Sequence, residues 1–198
     1  MAAHALDNLR STAESHSRVM VVEVMGRSTG WIAVEAGIAA GADQVLIPER
    51  PLSLESIYDR LRVRHETHGR NYSILMVAEG FRDVEDELDP SSGSTDHLGR
   101  VRYAGVGAQL ALRISADLGY NARCTTLGYL QRRAAPIAAD RILATRLSDR
   151  AYDLLQGGES GVMAGLVGDD IESVPLSRVA GETKTVPEEL IALADVFG

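Results

Sequence analysis

Residues 18–27 read R-V-M-V-V-E-V-M-G-R, and the fold follows from that stretch. Eight residues rich in β-branched and apolar side chains run directly into glycine and arginine. A strand with one wet face alternates polar and apolar positions, whereas a strand covered on both faces does not. Such strands belong to parallel sheets flanked by crossover helices. Working outward, residues 31–40 read as a tight Ala-rich helix, and further strands are predicted at 44–48 (QVLIP), 72–78 (YSILMVA) and 123–127 (RCTTL). Crossover helices are predicted at 53–68, opening on Ser53-x-x-Ser56 with Ile57 and Leu61 inward, and at 101–118, amphipathic through Leu110, Leu112 and Ile114. A long helix over 138–156 places Ile142, Leu143, Leu147, Tyr152 and Leu155 along one side. Beyond it, Gly168-Asp169-Asp170 between two apolar runs predicts a hairpin at the sheet edge, and residues 187–196 a last helix. Residues 82–98, acidic and then Ser/Gly-rich, read as a mobile surface loop. The expected fold is α/β, a mostly parallel doubly wound sheet flanked by helices with a C-terminal hairpin and helix. No compositional boundary divides residues 1–198, which read as a single domain.

Composition narrows the function. At 198 residues with 45% hydrophobic and 24% charged side chains, the chain has the size and balance of one large soluble domain or two small ones, with a sizeable core. It contains no uninterrupted apolar run of membrane-spanning length and no secretory leader pattern, so neither a membrane nor export is expected. The single cysteine, Cys124, permits no internal disulfide, and the natural compartment is the reducing cytoplasm. Twenty basic residues stand against twenty-eight acidic ones, a formal charge of −8 with no basic stripe, which argues against nucleic acid as a partner. Nineteen of the basic residues are arginines; Lys184 follows no glycine-rich loop, which excludes a Walker-type nucleotide site.

In an open parallel sheet, ligands bind beyond the carboxyl ends of the strands. Here the residues just past three of those ends are Met25-Gly26-Arg27, Glu79-Gly80 and Gly128-Tyr129-Leu130-Gln131-Arg132. Two arginines, a carboxylate and a phenol thus share one rim. Arginine grips phosphate through a planar fork and a carboxylate accepts from hydroxyls, so a sugar phosphate suits both.

Other motifs are weaker. Gly26-Arg27-Ser28-Thr29-Gly30 matches a G-x-S-x-G nucleophile elbow, but no histidine follows the last strand to serve as base, so a Ser28 hydrolase is a minor alternative. His65-Glu66-Thr67-His68 lacks the spacing of a zinc pair, and the acidic run from Asp83 to Asp89 lacks the glycine and terminal glutamate of a calcium loop. Gly105-Val106-Gly107 reads as close helix packing and Cys124 as buried filling.

The stretch R-V-M-V-V-E-V-M-G-R-x-x-G-W-I-A closely resembles the sugar-phosphate half of 6-phosphofructokinases. Gly41-Ala42-Asp43, Leu46-Ile47-Pro48-Glu49, Val77-Ala78-Glu79-Gly80, Leu127 to Arg132, and Asp140-Arg141-Ile142-Leu143-Ala144-Thr145-Arg146 continue the resemblance in family order. It implies phosphoryl transfer to O1 of fructose 6-phosphate, giving fructose 1,6-bisphosphate in glycolysis, with Mg²⁺ and either ATP or pyrophosphate as donor. It further implies that Met25, Gly26 and Arg27 hold fructose 6-phosphate, that Glu79 accepts its hydroxyls, and that Tyr129 and Arg132 hold the 6-phosphate. Arg18 and Arg123 resemble the arginines that reach a neighbouring subunit's site, which implies a homo-oligomer or pairing with a complete homologue.

Two departures bear on this. Tyr129 replaces a common histidine and can still donate to phosphate. Arg133-Ala134 replaces two glycines, and side chains there would obstruct a left-handed backbone or a close ligand approach. The family's glycine-rich donor segment and its T-I-D-N-D-like loop bearing the catalytic base do not occur in the 198 residues. The expectation is therefore acceptor-sugar binding without turnover and without a catalytic residue, in a fragment, a shortened reading frame or a pseudoenzyme; a noncatalytic regulatory or assembly subunit is the alternative.

Overall fold

The structure, a computed structural model, describes residues 1–99, 101–103 and 105–197, and the chain divides into two compact units, residues 1–133 with 185–198 and residues 134–184. The first unit opens with helix α1 (Ala2–Ser15), strand β1 (Val19–Val24), helix α2 (Trp31–Ala40) and strand β2 (Gln44–Leu46). Helix α3 (Leu54–Arg62) continues as a π-helical turn, Val63–Thr67, into strand β3 (Ser73–Ala78). A short antiparallel pair, β4 (Ser91–Thr95) and β5 (Val101–Tyr103), precedes helix α4 (Val106–Leu118) and strand β6 (Ala122–Thr126). The main sheet is parallel, in the order β2-β3-β1-β6.

All six residues of β1 and of β3 are buried, which is why neither alternates in sequence. Successive side chains still point to opposite faces. Met20, Val22 and Val24 pack with Leu6, Val34 and Ile191, while Val19 and Val21 pack with Ile57, Leu61, Leu110 and Ile114. Two apolar layers thus sandwich the sheet, as a doubly wound arrangement requires. Helix α3 starts where Ser53 Oγ accepts the Ser56 N–H at 3.1 Å.

The second unit holds helix α5 (Ala138–Gln156) and an antiparallel hairpin, β7 (Val162–Val167) with β8 (Asp170–Pro175). Helix α6 (Glu188–Ala194) then belongs to the first unit. No helix among the described residues is long and apolar enough to cross a membrane.

Several expectations need correcting. Residues 101–103 are strand rather than helix, and residues 82–98 are not simply a loop: they include β4 and the buried Leu88. Ser/Gly-rich composition masked a strand whose pairing comes from β5. Leu112 is exposed, because two helical residues from both Leu110 and Ile114 it lies on the far side of α4. In α5 only Leu154 is buried; Leu143 and Leu147 share its stripe, while Ile142, Tyr152 and Leu155 lie about 100° or more away from it and are exposed. The hairpin forms its own two-stranded sheet instead of extending the parallel one. Strand β6 is an edge strand with only Ala122 buried, not a strand covered on both faces. For the single-domain expectation over residues 1–198, the division into two units is the relevant structural fact.

Candidate functional site

The carboxyl ends of β3, β1 and β6 lie side by side: Val24 is in register with Ala78, and Glu23 with Thr126. The segment leaving each strand therefore meets its neighbours. Glu79 continues β3 by donating its own N–H to Val24 O at 2.9 Å. Its carboxylate then turns toward the segment after β1, where Oε1 accepts the N–H of Gly26 at 3.2 Å and of Arg27 at 2.9 Å. Thr29 closes this turn, its N–H and its Oγ1 both donating to Gly26 O at 3.1 and 3.2 Å.

Arg27 holds φ at +53°, a left-handed conformation that costs an ordinary residue about 1–2 kcal/mol. The two hydrogen bonds to Glu79 and close packing against Gly80 fix it. A Cβ on Gly80 would fall inside the Arg27 carbonyl oxygen, so glycine at that position is what lets the turn settle onto β3.

The third segment is tied to β1 by Leu127 N–H donating to Glu23 O at 2.9 Å, and continues as a 3₁₀ turn, Gly128–Arg132. Within it the Arg132 guanidinium lies 5.8 Å from the centroid of the exposed Tyr129 ring, an arrangement that presents both toward solvent as a pair.

These pieces line one cleft of about 700 Å³, with Met25, Gly26, Arg27, Glu79, Tyr129, Gln131 and Arg132 on its floor and sides. The cleft is completed by Ile32 of α2 and by Asp96, Val101 and Tyr103 of the β4–β5 hairpin. Sequence reasoning assigns the hairpin residues no role. The signal available is the turn-like Asp96 to Gly99 followed by Val101 and Tyr103, preceded by a Ser/Gly-rich stretch with no strand propensity of its own. Gln131 carries no role in the sequence reading either; its Oε1 is buried without a partner among the described residues, while its Nε2 donates to Gly128 O.

Of the eight residues singled out by sequence, the structure brings six to this cleft. Arg18 and Arg123 lie elsewhere: Arg18 immediately precedes β1, and Arg123 pairs in register with Met20, so both stand at the amino end of the sheet. Arg133 is not among the residues that line the cleft. It lines a separate hollow with Met1, His4 and Leu130, at φ −78°, and Ala134 is likewise free of positive φ. The left-handed backbone that would have demanded glycine is absent at both positions.

Behind the site, Glu23 is buried and its Oε2 accepts the Gly107 N–H at 2.8 Å at the start of α4. Burial pushes its carboxyl up from the ordinary value, the Gly107 bond pulls it back, and the negative charge of Glu79 pushes it up again. A Cβ on Gly107 would come within 3.1 Å of Cys124 Sγ and of Glu23 Cβ, the close helix packing expected there. Burial also raises the Cys124 thiol, although Thr126 counteracts it.

Ser28 sits exposed on the turn after β1. It hydrogen-bonds to no histidine among the described residues. His65 is engaged elsewhere, with Nε2 at 2.9 Å from Ser73 Oγ and its ring stacked on Tyr120. Among the described residues, no three His, Cys, Asp or Glu side chains gather as ligands.

A family model for phosphofructokinase matches residues 1–155. The chain belongs to the phosphofructokinase family. ATP-dependent 6-phosphofructokinase 3 of Streptomyces coelicolor is 42% identical over 195 residues, 98% of this chain and 57% of that protein. A pyrophosphate–fructose 6-phosphate 1-phosphotransferase of Amycolatopsis methanolica is 44% identical over 198 residues, all of this chain and 57% of that protein. Among solved structures, the phosphofructokinase of Saccharomyces cerevisiae superposes with a TM-score of 0.73 at 30% identity, covering 90% of this chain and 22% of that one. The phosphofructokinase fold is thereby shared, and the chain spans a little over half the length of the curated relatives it matches. Relatives named for either phosphoryl donor are about equally similar to it.

Proposed function

We propose that this chain contributes the acceptor side of the phosphofructokinase reaction: it binds fructose 6-phosphate, the sugar whose O1 receives the phosphoryl group. The observation that carries the reading is the convergence of Arg27, Glu79, Tyr129 and Arg132 on one cleft. Arg132 and Tyr129 offer a charged fork and a phenolic donor to the 6-phosphate. Met25, Gly26 and Arg27 hold fructose 6-phosphate, Arg27 adding a second guanidinium to the cleft, and Glu79, with Oε1 given to the backbone, leaves Oε2 for sugar hydroxyls.

Phosphoryl transfer also needs donor phosphates, Mg²⁺ and a base aligned with the attacking hydroxyl. No transfer step is assigned to the cleft residues, whose part in this reading is to bind the acceptor sugar. Whether ATP or pyrophosphate serves the reaction is a property of residues that hold the donor. Arg18 and Arg123, at the opposite sheet end, serve a neighbouring subunit's site in this reading. The two units together are then one partial phosphofructokinase domain.

The test is calorimetric titration with fructose 6-phosphate, alongside Arg132→Ala and Glu79→Ala. Saturable binding lost in both variants supports the reading; no binding by a folded parent chain ends it. A noncatalytic assembly role is the second reading, favoured by the exposed Ile142, Tyr152 and Leu155 of α5. A shift in the activity or oligomeric state of a full-length homologue on mixing would support it.

A further inference from the structure

Asp96 lines the same cleft as Arg27, and its Oδ2 lies 3.6 Å from Arg27 Nη2. The two oxygens of Asp96 have different tasks. Oδ1 accepts the Leu98 N–H at 2.9 Å, and the Asp96 carbonyl accepts the Gly99 N–H at 3.0 Å, so the carboxylate is held by the turn that joins β4 to β5. Oδ2 is the oxygen directed to the guanidinium. The other partner is fixed as well, since the backbone of Arg27 is locked by Glu79.

The contact is looser than a charge-assisted hydrogen bond, which closes to about 2.7–2.9 Å. Asp96 is the more withdrawn partner, with its side chain 19% exposed against 53% for Arg27. The guanidinium is therefore open to an incoming anion while the carboxylate stays behind it. Among the described residues the cleft lining includes two cations, Arg27 and Arg132, and two carboxylates, Glu79 and Asp96.

We propose that Asp96 sets the anion affinity of this cleft: a tethered counter-ion on Arg27 that an incoming anion must displace. The cost of breaking the pair is the same for every anion that takes its place, so Asp96 lowers the affinity for all of them by a similar factor. This rests on the reading of the cleft as a sugar-phosphate site, and the test separates the two.

The parent chain, Asp96→Asn and Glu87→Gln are titrated by calorimetry at low ionic strength, once with fructose 6-phosphate and once with inorganic phosphate. Glu87 pairs with Arg113 outside the cleft and controls for the change in net charge. Asp96→Asn is expected to bind both ligands about two- to fivefold more tightly, the range of a partly exposed ion pair. The gain should shrink in high salt, and Glu87→Gln should match the parent. Equal or weaker binding by Asp96→Asn overturns the proposal. If fructose 6-phosphate binds parent and Asp96→Asn alike, the role of Asp96 fails and the sugar-phosphate reading stands. If inorganic phosphate shows the gain but the sugar adds nothing to it, the role of Asp96 stands and the sugar reading fails. If neither ligand binds any of the variants, each shown to be folded by circular dichroism, both fail.

Discussion

Glu79 reaches across from the end of one strand to hold the backbone of Arg27, whose N–H it accepts at 2.9 Å. The carboxylate thus shapes the turn it shares a cleft with, in addition to facing that cleft. A hydrogen bond to a charged group contributes about 1.5–3 kcal/mol. We expect Glu79→Ala to weaken fructose 6-phosphate binding by roughly ten- to a hundredfold on that scale. Glu79→Gln, which keeps an acceptor oxygen but no charge, should fall between. Amide hydrogen exchange distinguishes shaping from direct contact: the Gly26 and Arg27 amides should exchange faster in Glu79→Ala, with the amides of β1 unchanged. Unaltered exchange at Arg27 would deny Glu79 its hold on the turn.

Leu110 and Leu112 are alike in sequence and opposite in environment. The first is fully buried against β1 and α3, the second exposed. Truncating a buried leucine costs about 2–5 kcal/mol, and an exposed one about 0.5 kcal/mol or less. Chemical denaturation of Leu110→Ala and Leu112→Ala should show that contrast. Equal losses would place Leu112 in the core after all.

Asp195, just past α6, accepts from Arg50 at 2.5 and 2.8 Å and from Arg60 at 3.0 Å. Burial alone would raise its carboxyl, but the two guanidiniums outweigh that and hold it below the ordinary value. A carboxyl lowered by folding stabilises the folded state above its unfolded pKa, near 4, and loses that contribution as pH falls through the folded value. Asp195→Asn should therefore cost about 1 kcal/mol or less at neutral pH, as partly exposed pairs do. The difference between parent and variant should shrink as pH falls below the unfolded value and vanish once it has passed the lowered folded one. A difference that persists there would assign the loss to packing.

The second unit buries a single large apolar side chain, Leu154, while Ile142, Tyr152, Leu155 and Leu166 are exposed. An apolar hollow of about 470 Å³ between α5 and β7 lies beside them. Such a surface binds apolar dyes and promotes association. We expect the purified chain to enhance anilinonaphthalene sulfonate fluorescence, and Ile142→Lys with Leu155→Lys to reduce it without lowering the melting of the parallel sheet. Undiminished fluorescence would locate the apolar surface elsewhere.

The parallel sheet was legible because β1 and β3 are buried on both faces and leave an unbroken apolar run, and α2 was legible to the residue. Six cleft residues could be named because parallel strands deliver their carboxyl ends to one rim. The hairpin wall was not legible. Ser91 to Thr95 has strand geometry through its partner, not through its own propensities, and Asp96 reads as one acid among many. The surface of α5 was misread because Ile142, Tyr152 and Leu155 look like core residues, and nothing in the local pattern reports what packs against a helix. The contact between residues 27 and 96, far apart in the chain, is likewise a product of the fold.

Three adjacent strands hand over the cleft's floor, and neighbouring strands lie about 4.8 Å apart whatever their side chains. The spacing between the Arg27 turn, Glu79 and the segment ending at Arg132 is therefore ruled by the backbone ladder, like marks on a caliper. Side-chain exchange can change what the site grips, but the width of its jaws belongs to the sheet. A ligand of different breadth would require another strand order, so variation in this scaffold should be found in charge and hydrogen bonding long before it is found in size.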